Sequence, residues 1–60
     1  MPTTLDDHLA RCNELLDMAL AVARDESMPV SERASELRRL LGRIEGHAAS
    51  AEFLAEVEGR

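Results

Sequence analysis

One stretch, DESMPVSER at residues 25–33, interrupts an otherwise continuous helical pattern of apolar residues. Pro29 disfavours helical geometry at Met28, and Ser31 is a good N-cap for a second helix. The residues on either side are mostly Ala, Leu, Glu and Arg, which are good helix formers. The sequence therefore predicts an all-α fold with two helices and one short turn.

We expect helix 1 at about 4–26 and helix 2 at about 31–58, which together make one domain over residues 1–60. Thr3 or Thr4 can cap helix 1, because acidic residues follow in the first turn and suit the helix dipole. A short connection folds two helices back on each other. The expected unit is therefore an antiparallel helical hairpin.

Helix 1 has an apolar surface too wide for one partner helix. A main stripe repeats at alternating spacings of four and three, and a second stripe runs beside it. Together they cover about 200°, roughly twice what one packed face needs. We expect helix 1 to pack on helix 2 and on another chain, so that two hairpins form a four-helix bundle. The main stripe is Leu5, Leu9, Cys12, Leu16, Ala19 and Ala23, and the second stripe is Leu15, Met18 and Val22.

The apolar pattern of helix 2 changes phase towards its end. Leu37, Leu41 and Ile44 follow one stripe, whereas Phe53, Leu54 and Val57 fall about 100° or more away from it. The helix is either broken near residues 46–50 or continuous with a second apolar patch, and we expect the continuous form. The predicted interface comprises Leu9, Leu15, Leu16, Met18, Val22, Phe53, Leu54 and Val57.

Size, charge and cysteine content limit the functions that a chain of 60 residues can have. At this size a lone monomer is marginally stable, and a single cysteine allows no internal disulfide. The net charge of −5 argues against nucleic-acid binding, although Arg38, Arg39 and Arg43 leave it as an alternative. No apolar run reaches the length of a membrane span, the start MPTTLDD does not resemble a signal peptide, and a lone thiol suits a reducing cytoplasm.

His8 and Cys12, in DHLARC, lie one helical turn apart, and an antiparallel hairpin brings His47 towards them. Imidazole and thiolate are zinc ligands, and two copies of the chain could supply four of them. The alternative is a packed thiol beside two histidines at the border of the interhelical groove. The sequence leaves open whether these three residues bind a metal.

The stretch LRRLLGRIEGH at residues 37–47 resembles the start of the first core helix in the copper-sensing repressor family, and DHLARC is similar to that family's DH-x-x-x-C element. The resemblance implies that His8 and Cys12 are metal ligands. Here the two elements occur in the opposite order, the cysteine that the family supplies from another helix is missing, and His47 replaces a glutamine.

The sequence shows no phosphate-binding loop, no catalytic triad and no metalloprotease motif. We therefore expect a small, non-enzymatic interaction protein, such as a regulator, adaptor or co-chaperone. It would need no cofactor and would act in the cytoplasm, as a homodimer or in a complex with another protein. The alternatives are a metal- or thiol-responsive regulator and a nucleic-acid-binding hairpin.

Overall fold

A computed structural model describes residues 4–59, which form two long helices packed against each other. Helix α1 spans Leu5–Arg24 and helix α2 spans Val30–Glu58. Contacts between the start of α1 and the second half of α2 show that the two helices are antiparallel. The hairpin measures 47 × 19 × 14 Å. The predicted two-helix architecture is confirmed for this part of the chain.

A capping box fixes the start of α1. The backbone N–H of Asp7 donates to the Thr4 hydroxyl oxygen at 3.2 Å, and the N–H of Thr4 donates to the Asp7 carboxylate at 3.2 Å. Each bond satisfies a backbone donor that a helix start otherwise leaves without a partner. Thr4 is therefore the cap. The other candidate, Thr3, lies outside the described residues.

Asp25 organises the turn between the helices. Its carboxylate accepts hydrogen bonds from the backbone N–H of Ser27 at 3.0 Å and from the Ser27 hydroxyl. Its carbonyl accepts from the N–H of Met28 at 3.2 Å. Arg33 then spans the turn, donating to the carbonyls of Met28 and Ala23 at 3.1 and 3.4 Å.

The prediction that Ser31 caps the second helix is wrong. Helix α2 begins at Val30, and Pro29 occupies the N-cap with an extended backbone and no side-chain hydrogen bond. Proline lacks a backbone N–H and has a fixed φ, so a helix can start directly after it. The start of α2 is therefore set by backbone geometry rather than by a hydroxyl cap.

Helix α2 is continuous through residues 46–50, as expected. The apparent change of phase in α2 arose because the predicted stripe is not the row of residues that faces α1. The inward row has one regular spacing of four and three and includes Leu54, so only Phe53 and Val57 depart from it. The inward residues of α2 are Arg33, Leu37, Leu40, Ile44, His47, Ala51 and Leu54.

The inward row of α1 is also rotated from the predicted main stripe. Leu15 and Val22, which belong to the second stripe, lie on the side that faces α2, whereas Leu9 and Leu16 are exposed. Two stripes of similar apolar content compete for α2, and spacing alone does not decide between them. The inward residues of α1 are Leu5, His8, Cys12, Leu15, Ala19 and Val22.

The core of the hairpin is small. Leu15, Ala19 and Leu40 form its buried cluster, and the only other buried apolar residue among those described is Ala51. The half-buried side chains of Val22, Leu37 and Ile44 pack against the cluster. Neither of the described helices is long and apolar enough to cross a membrane.

Candidate functional site

Most of the large exposed apolar side chains of residues 4–59 lie on one broad side of the hairpin, which we call the apolar face. Successive side chains of a helix are about 100° apart around its axis. The exposed leucines of α1 therefore lie about a quarter turn from its inward row. The exposed apolar residues of α2 are a quarter turn from its own inward row, in the same sense. Because the helices are antiparallel, both rows emerge on the same side. The apolar face comprises Leu9, Leu16, Leu20, Ala23, Val30, Ala34, Leu41 and Ala48.

A surface groove near the turn supports this assignment. Ala23 of α1 lines it together with Val30 and Ala34 of α2, so residues of both helices border the same side of the hairpin. The groove has a volume of about 290 Å³. A second groove of about 450 Å³ runs along α2 beside Leu41 and Gly42. The apolar face therefore has protruding leucines on α1 and grooves beside small residues on α2.

Three interhelical contacts fix which residues of the face lie at the same height. His8 contacts His47, the Cys12 thiol approaches the Ile44 carbonyl, and Arg33 reaches the Ala23 carbonyl. In all three contacts the sum of the two residue numbers is nearly the same, as an antiparallel register requires. On this register Leu9 lies level with Ala48, Leu16 with Leu41, and Leu20 close to Ala34.

Five of the eight large exposed apolar side chains in residues 4–59 belong to the apolar face. The other three are Met18, Phe53 and Val57, which point towards the opposite side or its edge. Phe53 and Val57 also lie in the last turns of α2, beyond the level at which α1 begins. Phe53 borders a groove formed with His8, Ala49, Ser50 and Leu54 rather than the apolar face.

The opposite side of the hairpin carries ion pairs. Arg11 and Glu14 are 2.8 Å apart on α1, and Glu36 pairs with Arg39 on α2. The hydrogen bond from Arg39 is the main reason that the pKa of the Glu36 carboxyl is lower than usual, although burial opposes the shift. Exposed pairs of this kind keep a surface solvated and add little stability.

The predicted interface residues therefore separate into the interior of the hairpin, the apolar face and other exposed positions. Leu15 is buried in the core, and Val22 packs against that core, so neither belongs to an exposed surface. Leu54 is half-buried in the inward row of α2. Leu9 and Leu16 belong to the apolar face, whereas Met18, Phe53 and Val57 are exposed elsewhere.

Sequence reasoning placed neither Leu20 nor Leu41 in the predicted interface, although both belong to the apolar face. It also omitted Val30, which is largely exposed at the first position of α2. The signal was present, because Leu20 and Leu41 each lie beside an inward row at helical spacing. Helical spacing alone does not show which of two neighbouring rows faces the partner helix.

The structure brings two of the candidate metal ligands into contact. The Nδ1 atoms of His8 and His47 are 3.0 Å apart, and their ring centroids are 5.2 Å apart. The centroid distance is close to the largest that this contact allows, so each Nδ1 points at the other. This is the geometry of an N–H···N hydrogen bond in which one ring donates and the other accepts.

Cys12 lies on the same interhelical seam but has a different partner. Its thiol donates to the Ile44 carbonyl, with an Sγ–O distance of 3.7 Å. In residues 4–59 no three histidine, cysteine or acidic side chains are grouped so that they could hold a metal ion. Metal binding by His8, Cys12 and His47 therefore stays a prediction.

The three arginines considered for nucleic-acid binding do not form one patch. Arg38 lies towards the edge of the apolar face, whereas Arg39 and Arg43 lie on the opposite side of α2. Arg39 is also paired with Glu36. A phosphate backbone that followed one side of the hairpin would therefore not meet all three charges.

No protein-family model, curated protein or solved structure matches this chain.

Proposed function

We propose that this chain is a non-enzymatic protein interaction module that acts as a homodimer, with the apolar faces of two copies packed together in a four-helix bundle. The observation that carries the proposal is the exposed row of leucines, Leu9, Leu16 and Leu20, beside the exposed Val30 and Leu41 of α2. A group of large exposed apolar side chains on one side of a small protein is typical of an interaction site.

The small core of the hairpin supports association. Among residues 4–59, only two large side chains, Leu15 and Leu40, are fully buried. Domains of about 60 residues are marginally stable even with a complete core, and oligomerisation is one of the usual ways to add to it. Covering the apolar face would bury five more large apolar side chains in each copy. Full burial of one such side chain contributes about 1.5–3 kcal/mol.

The dimensions of the hairpin suit a second copy as the occupant. The apolar face extends from Val30 to Ala48 along α2, about 27 Å at 1.5 Å per residue, on a broad side that measures 47 × 19 Å. A partner of the same length and width covers the face from end to end. Two-fold association also uses the same surface on both partners, as closed dimers do.

A pair of aspartate variants tests the proposal. Leu16 and Met18 are 47% and 48% exposed and lie two residues apart on α1, but only Leu16 belongs to the apolar face. Leu16→Asp introduces an unpaired charge into the proposed interface, which is strongly unfavourable. We expect native mass spectrometry and sedimentation to show a dimer for the wild type and for Met18→Asp, and a monomer for Leu16→Asp.

Two results would contradict the proposal. One is a wild-type chain that stays monomeric and cooperatively folded at concentrations of hundreds of micromolar. The other is a Leu16→Asp variant that keeps the dimer mass and the melting curve of the wild type. Because Met18→Asp adds the same charge to the same helix, it separates an interface effect from a general effect of charge or helix propensity.

The His8–His47 contact supports a second candidate function, a metal-responsive hairpin. Histidine binds first-row metals through a ring nitrogen, and two nitrogens from different helices would link metal binding to hairpin closure. Rotation of the rings would be needed to aim both Nδ1 atoms at one ion. Native mass spectrometry without chelator tests this function: metal bound by the wild type and lost in His47→Ala and Cys12→Ser would support it, and a metal-free wild type would exclude it.

A further inference from the structure

From the shape of the apolar face we infer how the two copies are arranged: α1 of each copy lies on α2 of the other, related by a two-fold axis parallel to the helices, and Asp17 of each copy lies beside Arg38 of the other. The inference rests on the proposed homodimer. It adds the partner helix, the relative direction of the copies and the charged residues that select this arrangement.

The distribution of large and small side chains on the apolar face supports this arrangement. Leucines dominate the α1 half of the face, whereas Ala34, Ala48 and the neighbouring Gly42 leave hollows along the α2 half. A two-fold axis parallel to the helices keeps each residue at its own height. Leu9 of one copy then meets Ala48 of the other, and Leu20 meets the hollow at Ala34. Large side chains that fill hollows give the close packing of a protein interior.

The competing arrangement packs each helix on its own counterpart. With the two-fold axis perpendicular to the helices and centred near Leu16, α1 would lie on α1 and α2 on α2. Ala34 of one copy would then face Ala48 of the other on the α2 half, whereas Leu16 would meet Leu16 instead of Leu41. The α2 half would therefore contain voids, which are destabilising.

Charges at the edges of the face favour the same choice. Asp17 and Arg38 are exposed at the outer edges of α1 and α2, and the interhelical register places them at the same height. When α1 of one copy lies on α2 of the other, the carboxylate and the guanidinium share one outer edge of the bundle, twice per dimer. The competing arrangement brings the two Asp17 carboxylates towards each other. Charges beside an apolar seam commonly determine partner orientation in this way.

Disulfide cross-linking tests the arrangement directly. In a Cys12→Ser background, Asp17→Cys and Arg38→Cys are made singly and together. Within one hairpin the two positions lie on opposite outer edges, too far apart for the roughly 4.4–6.8 Å that a disulfide needs between Cα atoms. We expect mild oxidation to convert the double variant to a covalent dimer of twice the monomer mass. Neither single variant should cross-link, and an equimolar mixture of the two should form a dimer with one disulfide.

The possible failures are distinguishable. Cross-linking of Asp17→Cys alone would indicate the competing arrangement and overturn the inference. A native dimer whose double variant does not cross-link would also overturn it but would leave the proposed function intact. A chain that is monomeric before oxidation would contradict the proposed function, and the inference with it. Circular dichroism of each variant before oxidation verifies that the hairpin is folded.

Discussion

Leu15 and Leu16 are adjacent in the sequence, yet Leu15 is 1% exposed and Leu16 is 47% exposed. The boundary between the core of the hairpin and the apolar face therefore passes between them. Leu15 packs with Leu40 inside the hairpin, whereas Leu16 lies level with Leu41 on the outer surface. The same side chain at consecutive positions thus serves two separate packing layers.

This relationship predicts different behaviour for two alanine variants. Leu15→Ala leaves a cavity inside the hairpin and should lower the free energy of unfolding by about 2–5 kcal/mol at every protein concentration. Leu16→Ala should mainly weaken association, so its deficit should depend on concentration. Thermal melts over a hundredfold range of concentration measure the difference. Equal and concentration-independent losses for both variants would contradict the assignment of two layers.

The number, length and order of the helices were predictable from local signals. Pro29 marks the turn, and good helix formers occupy both flanking segments. Thr4 followed by acidic residues marks the start of α1. These features act within a few residues of the chain, so no knowledge of the partner helix is needed to interpret them. Only the capping of α2 by Ser31 was misjudged.

The register of the helices could not be obtained in the same way. Helix α1 has two apolar stripes, one through Leu15 and Val22 and one through Leu9 and Leu16, and either could face α2. The choice depends on how both helices fit together, including the contact between His8 and His47. The sequence does predict that one stripe must be left over, and that stripe became the apolar face.

Removal of the capping box should weaken the start of α1. Thr4→Ala deletes the hydroxyl that accepts from the N–H of Asp7, and such caps contribute about 1 kcal/mol. We expect a lower melting temperature and faster amide exchange in the first turn. Thr4→Ser keeps the acceptor oxygen and should retain most of the stability. If both variants matched the wild type, the capping bonds would have no measurable role.

The turn should make stability depend on pH in the acidic range. Hydrogen bonds from the Ser27 side chain and then its backbone lower the pKa of the Asp25 carboxyl, and they outweigh the opposing effect of burial; Arg33 adds a smaller attraction. A carboxyl with a lowered folded-state pKa contributes stability above its unfolded value and loses it as the pH falls through the folded value. The contribution of Asp25 should therefore be present at neutral pH and disappear below about pH 4.

Comparison of variants isolates that contribution. Asp25→Asn cannot ionise, so between about pH 5 and pH 2 its free energy of unfolding should fall less than that of the wild type. Ser27→Ala removes the hydroxyl donor and should reduce the same pH dependence while leaving Asp25 in place. Urea titrations at several pH values provide the measurement. Parallel profiles for the wild type and Asp25→Asn would show that the carboxylate hydrogen bonds do not stabilise the turn.

Gly46 lies in the middle of the continuous helix α2, where glycine is intrinsically unfavourable. A Cβ atom added there would meet no heavy atom within 4 Å, and no described residue, Gly46 included, has a positive φ. Gly46→Ala should therefore raise the free energy of unfolding by about 0.5–1 kcal/mol, because alanine has less backbone freedom to lose on folding.

Gly42 has equally open space but borders the groove on the α2 half of the apolar face. If that groove receives a leucine of the second copy, Gly42→Ala should gain helix stability and lose some association. Chemical denaturation combined with sedimentation of the two variants measures both effects, and a Gly46→Ala variant less stable than the wild type would indicate that α2 bends there.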